Sequence, residues 1–313
     1  MTRTLLILAV AAAFSLSLAL PWVSLPPDVA QAFLVELRLP RAMLALTYGM
    51  ALGGCGAAIQ TIFANPLASP DLTGTTSGAA LGAVIAAYLF DFASPFAMSF
   101  GSVAGALAAL GLLLLLAGPR AETSTLLLAG LALSALAGAL TTLALALAPS
   151  PFAFYDAYEW LMGSLVDRSL SQALFALVPT VACLVLLTSQ VRALDSLALG
   201  EQSAQAIGHD LRKLRLIVIA TTAVAVGSCV AVCGAIGFIG LVAPIFARRL
   251  SGGRPGSAIL PAALIGALLL LTADLVVRLA PLGRTLPIGV ATAVLGAPYF
   301  LWLVTHMRWR LGR

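Results

Sequence analysis

Apolar positions in this chain run together in long blocks, separated by proline, glycine and short clusters of charge. The pattern predicts helices over residues 4–23, 42–63, 76–90, 95–117, 125–148, 171–189, 214–233, 235–250, 257–280 and 287–305. A bilayer core about 30 Å thick takes roughly 20 apolar residues per helical crossing, so the expected fold is an all-α polytopic membrane protein with about ten transmembrane helices. The third and eighth runs are short enough to be tilted or partly re-entrant. Residues 1–313 read as one transmembrane domain with little left over for a soluble one.

Composition sharpens this picture. Of 313 residues, 61% are hydrophobic and only 9% charged, with a mean hydropathy of +1.06, which leaves too few charges to coat a water-facing surface. The formal charge of +5 does not point to nucleic acid, because the basic residues sit in short connections where they act as topology signals. With the N-terminus inside, Arg3, Arg120, Arg192, Arg212, Lys213, Arg215, Arg248, Arg249, Arg254, Arg308, Arg310 and Arg313 are cytoplasmic. Only Arg38, Arg41, Arg168, Arg278 and Arg284 are then external, so both termini are expected inside, as an even helix count requires. The first 20 residues resemble a signal peptide, but the many later spans favour an uncleaved first helix. Glycines four apart, at 49 and 53, at 74, 78 and 82, and at 101 and 105, predict close helix packing.

Several chemistries are missing. A phosphate-binding loop needs a Gly-Lys step, and the single lysine, Lys213, follows Arg212, so the chain does not hydrolyse ATP by that route. Cys55, Cys183, Cys229 and Cys233 all lie in apolar runs, and neither a metal site nor a disulfide is expected of them. His209 and His306 fall in cytoplasmic segments, and no serine occupies a nucleophile elbow. No catalytic residue and no cofactor is therefore assigned. Asp274 is the one clear ionisable residue at bilayer depth; it is either a proton relay or the local partner of Arg278, four residues on. Two rivals to a passive pathway stay open, an ion-coupled carrier using Asp274 and an intramembrane enzyme using a serine such as Ser77 or Ser164.

Four connections are unusual. The stretch ELRLPRAM places Arg38 and Arg41 beside Pro40, and with Arg278 and Arg284 they make a basic external rim, suited either to docking an acidic protein or to anchoring helix ends at headgroups. Residues 60–82, QTIFANPLASPDLTGTTSGAALG, carry more turn chemistry than a loop needs, and Asn65 and Leu67, with Thr123 and Ser124 of the next inner loop, are candidates to line the exit of a path. Residues 192–215, RALDSLALGEQSAQAIGHDLRKLR, suit two short amphipathic helices under the membrane, seated in a partner's groove or simply at the interface. Residues 234–249, GAIGFIGLVAPIFARR, predict a broken or unwound helix, tolerable only where protein covers the freed backbone groups.

Taken in order, RLPRAMLAL, NPLASPDLTG with TSGAALGA, LLLAG, EWLMGSL, LALGEQSAQAIG, GAIGFIGLVAP and LPIGVATAVLGAPYF resemble the FecCD-type permease subunits of ATP-binding-cassette importers for iron-siderophores, haem and cobalamin, over nearly the whole chain. The resemblance implies a type II importer permease in the bacterial inner (plasma) membrane, dimerised around a central pathway and contributing no chemistry of its own. It implies two copies of a separate ATPase, a periplasmic substrate-binding protein and a second permease copy, forming a homodimer among membrane lipids. Arg38, Arg41 and Arg278 would dock the binding protein, and Asn65, Leu67, Thr123 and Ser124 would form a cytoplasmic gate. Leu197, Leu199, Glu201, Ala204 and Gly208, within about 195–213, would rest on the ATPase as coupling helices. The cargo implied is a siderophore or haem chelate, with cobalamin or an oxyanion as alternatives. Ile245 stands where the family commonly has histidine, so no role for that imidazole carries over.

Overall fold

The computed structural model describes residues 2–20, 26–89, 95–118, 123–280 and 286–311. Arg120, Arg284 and Arg313 lie outside the described residues, as do the ends of the predicted runs at 21–23 and 90. In chain order the helices are α1 (Thr2–Ala19), α2 (Pro27–Ala32), α3 (Leu39–Ile62), α4 (Thr75–Leu89), α5 (Pro95–Ala117), α6 (Thr123–Ala146), α7 (Pro151–Leu161), α8 (Leu170–Ser189), α9 (Val191–Ser196), α10 (Glu201–Ala206), α11 (Leu211–Cys233), α12 (Ile239–Leu250), α13 (Ile259–Leu279) and α14 (Ile288–Leu311).

Each of the ten predicted runs contains a helix. Among the described residues, six helical segments are long and apolar enough to cross a bilayer: Val29–Ile62, Ala97–Ala117, Thr123–Ala146, Leu170–Ser189, Leu211–Cys233 and Gly256–Leu279. The remaining runs correspond to shorter apolar helices within α1, α4 and α14, and to α12. Helix α7 falls in a connection for which no helix was expected; Ser150 caps it by accepting from the Ala153 amide.

The second run extends upstream of its predicted start through a π-helical turn, Phe33–Arg38. Pro40 has no amide hydrogen to return to the fourth carbonyl before it, and the ladder widens there, with the Leu39 amide reaching Leu34. The short third run has a different cause from tilt. Pro66 and Pro70 end α3 and fold the turn back into the bundle, where a Cβ on Gly130 of α6 would overlap the Leu72 carbonyl. Gly130 lies seven residues into α6, so this turn sits about 10 Å from that helix's start at 1.5 Å per residue.

Small residues set the two tightest seams. On α3 and α13, Gly49 and Gly53 face Gly266 and Ala262, and on α4 and α5, Gly78 and Gly82 face Gly101 and Gly105. At each of these glycines a Cβ would overlap a carbonyl oxygen of the opposing backbone.

Helix α11 ends at Gly234, and residues 234–238 are unwound before α12 begins, as the glycine spacing predicts. The freed groups have partners. Fully buried Tyr48 donates its hydroxyl to the Gly234 carbonyl at 3.1 Å and accepts from the Ile236 amide at 3.2 Å, while the Ser164 amide donates to Cys233 at 2.8 Å. Replacing Tyr48 with phenylalanine strips two buried backbone groups of their partner and is expected to cost about 1–3 kcal/mol. Thermal unfolding in detergent measures it, and an unchanged midpoint would contradict this role for the hydroxyl.

Candidate functional site

The predicted site residues gather at opposite ends of the bundle, separated by α3, whose 24 residues span about 36 Å. At one end, the C-terminal ends of α1 and α13 meet the start of α3. Asp274, wholly buried on α13, accepts from Arg41 Nε at 2.9 Å and pairs with Arg41 Nη2 at 2.8 Å and Arg278 Nη2 at 2.5 Å. The Arg41 and Arg278 side chains are only 20% and 9% exposed, so both are committed inward. Arg278 also donates to the carbonyls of Ser17 and Leu20 and to the Ser17 hydroxyl. Arg38 caps α1 through the carbonyls of Leu18 and Ala19 at 2.6 and 2.9 Å, and its guanidinium lies 4.8 Å from the Phe33 ring centroid.

This arrangement refines two expectations. Asp274 does hold the local pair with Arg278, but its second partner comes from 233 residues earlier, a contact no helical spacing reveals. Arg38 and Arg278 anchor the end of α1, and Arg41 is drawn to the same buried carboxylate as Arg278.

At the other end, the segment 191–206 folds as α9, a 3₁₀ turn over Leu197–Leu199 and α10. Leu199 and Glu201 are exposed, Leu197 is half-buried, and Ala204 is buried. Gly208 closes the segment with φ +97°, a left-handed conformation that favours glycine. Asp195 fixes the segment to the start of α13, accepting from the Gly256 and Ser257 amides at 2.8 and 3.1 Å and from the Ser257 hydroxyl at 2.9 Å. Its partners lie 61 and 62 residues away, so no local spacing in the sequence signals that contact.

The four predicted gate residues divide between two settings. Asn65 and Leu67 share one turn, in which Asn65 Oδ1 accepts from the Leu67 amide at 2.9 Å. Thr123 and Ser124 begin α6 and are not in a loop, which corrects their expected placement. Thr123 Oγ1 donates to Glu201 Oε1 at 3.0 Å and accepts from Arg215 Nη2 at 3.0 Å, and Arg215 pairs with Glu201 at 2.6 Å. Sequence reading assigned Arg215 only to the topology count, because its partners lie 92 and 14 residues away.

Between α5, α7, α8 and α11 at the first end lies a cleft of about 460 Å³, lined by Asp156, Glu159, Trp160, Asp167, Arg168 and Gln172 among others. Ser164, considered as a nucleophile, lies beside it and spends its hydroxyl accepting from the Val166 amide. Among the described residues no group of three His, Cys, Asp or Glu is placed to hold a metal, and all four cysteines are free and buried.

The model for the FecCD transport family matches residues 2–306 of this chain. The chain belongs to the FecCD transport family. Among curated FecCD relatives, the vitamin B12 import system permease protein BtuC of Salmonella typhimurium is 41% identical over 276 residues, covering 87% of this chain and 83% of the relative. The Fe(3+)-citrate import system permease protein YfmE of Bacillus subtilis is 37% identical over 276 residues, covering 86% and 80%. Among solved structures, an inward-facing metal-chelate type ABC transporter superposes with TM-score 0.87 at 32% identity, over 97% of this chain and 98% of that one. PsaBC from Streptococcus pneumoniae, at 18% identity and TM-score 0.55 over 83% and 88%, shares the fold.

As a FecCD chain this is a multi-pass membrane permease subunit of an ABC importer, and the ATPase is a separate subunit. Neither an intramembrane enzyme nor an ion-coupled carrier describes it.

Proposed function

We propose that this chain forms the membrane pathway of an importer for a bulky iron chelate, a siderophore or haem, in the bacterial inner membrane. Two copies of the chain enclose the pathway, two ATPase subunits seat on the ends bearing Leu197, Leu199, Glu201, Ala204 and Gly208, and a periplasmic binding protein docks at the end bearing Arg38, Arg41 and Arg278. Asn65, Leu67, Thr123 and Ser124 form the cytoplasmic gate. The observation that carries this reading is the segregation of the two candidate surfaces to opposite ends of one FecCD bundle, with two guanidiniums on a single buried carboxylate and a third, Arg38, on the end of α1 at the docking end. Acidic lobes of a binding protein complement such a rim. The similarity to an iron-citrate permease and a metal-chelate transporter supports the iron cargo, while the 41% identity to vitamin B12 permeases specifically favours cobalamin as the second reading.

Uptake of radiolabelled ferric citrate, ferrichrome, haem and cyanocobalamin by proteoliposomes holding the permease and its ATPase, with the binding protein outside, separates these cargoes. The reading requires ATP-dependent accumulation, and accumulation by the permease alone would contradict it. Arg38 gives the cleaner docking test, since Arg41 and Arg278 also neutralise Asp274. Arg38→Glu is expected to weaken binding-protein affinity about five- to tenfold, chiefly through association rate and less so at high salt. Titration of the binding protein onto the nanodisc-held complex measures this; unchanged affinity would remove Arg38 from the docking surface.

A further inference from the structure

The hydrogen-bonded ring of Thr123, Glu201 and Arg215 joins three separate elements: the first turn of α6, the first residue of α10 and the second turn of α11. It rests on the reading just given, in which Thr123 belongs to the gate and Glu201 to the ATPase-coupling surface. We propose that Arg215 is a positioning residue that locks these two regions into one mechanical unit, so that displacement of α10 by the ATPase carries the start of α6, and with it the gate, as a rigid body.

The chemistry suits a lock. The Thr123 hydroxyl both donates to the carboxylate and accepts from the guanidinium, and Arg215 Nη2 reaches both partners, at 3.0 Å and 2.6 Å. Three contacts closing on one another fix relative position as no single contact does, because shifting any member strains two bonds at once. The Glu201 side chain is 51% exposed and that of Arg215 is 17% exposed. A pair so open to solvent contributes little to folding stability. Its consequence is therefore sought in the transmission of movement between sites, which requires a contiguous element that both sites bias. Asp195, on the same segment, ties the other side of the coupling surface to α13. The segment is thus tied both to the scaffold at α13 and to the start of α6.

A cysteine at Ser124, which is exposed beside Thr123, reports gate accessibility, and the four native cysteines are buried. Maleimide labelling of S124C in the permease–ATPase complex in nanodiscs is compared without nucleotide and with ATP and vanadate. The parent S124C complex is expected to change its labelling rate about tenfold between the two states, and addition of Thr123→Val or Arg215→Gln to reduce that change to about twofold or less. Thr123→Ser, which keeps a hydroxyl, is expected to retain the parental response. Copurification of the ATPase verifies assembly of each variant, and should R215Q fail to assemble, the T123V and T123S pair decides alone. A full nucleotide response in T123V and R215Q, or equal loss in T123S and T123V, overturns the lock while leaving the importer reading intact. A parent complex whose labelling ignores nucleotide overturns the importer reading itself, and the lock with it.

Discussion

Asp274→Ala is expected to destabilise this permease by about 3–5 kcal/mol, the cost of leaving buried charge without its partner. The substitution strands two guanidiniums, at 9% and 20% exposure, that share this carboxylate at 2.5 and 2.8 Å. It also frees the end of α13 from the start of α3, and Arg278 loses the charge that holds it against Ser17 and Leu20 of α1. Asp274→Asn preserves shape and some hydrogen bonding but not charge, so its loss should be smaller and still clear. Thermal unfolding of the detergent-solubilised protein, or chromatographic recovery after heating, measures both. A change in Asp274→Ala within about 1 kcal/mol would show that water or lipid headgroups solvate the two arginines, as at exposed pairs. The same variant separates a structural anion from a transport proton site: restoring stability by also replacing Arg278 and Arg41 with Met should restore uptake only if Asp274 carries no proton. Since those arginines are proposed to dock the binding protein, that comparison is made on ATPase-driven release of preloaded cargo, which bypasses docking.

The second large effect lies in the glycine seams. Gly53→Val and Gly82→Val each place a branched side chain where even a Cβ would overlap a backbone carbonyl, of Ala262 and of Gly101 respectively. The opposing atoms belong to helices and cannot swing aside as a flexible side chain would, so α3 must separate from α13, or α4 from α5. Overpacking of this kind costs about 1–3 kcal/mol in soluble cores and occasionally more. Here it is expected to reach the upper end, since small-residue contact is what drives helix association in lipid. Gly111 and Gly138 supply the controls, because a Cβ at either meets nothing within 4 Å. Ala at those two positions should be neutral or stabilising by up to about 1 kcal/mol, through lower entropy of the unfolded chain. Expression level and unfolding midpoint compare the four variants, and equal tolerance at all four would refute the seam assignment.

Much of the architecture was legible without coordinates. Burying a helix in hydrocarbon demands a local, contiguous apolar run, so composition along the chain locates each helix, as it did for all ten predicted runs. The broken segment after Gly234 was equally local, because three glycines three apart announce it. Helix α7 escaped because PFAFYDAYEWL mixes aromatic and acidic residues and is too short to register as a run. The fold-back of the turn at Pro66 and Pro70 escaped too, since prolines say where a helix stops but not whether the chain that follows lies outside the bundle or within it.

For the candidate site the division is similar. The sequence by itself determined that the chain is helical, membrane-embedded and without a Gly-Lys phosphate-binding loop, that its basic residues near Pro40 and its amphipathic stretch fall in different connections, and which family motifs it carries. These properties follow from residue type and from spacing along one helix. Only the tertiary structure decided that Arg41 shares Asp274 with Arg278, that Tyr48 supplies the polar contacts of an unwound segment 186 and 188 residues away, and that Arg215 joins Thr123 to Glu201. The physical reason is that hydrogen bonds and ion pairs act over about 3 Å, and which distant residues come within that reach is set by the packing of whole helices and leaves no period in the chain.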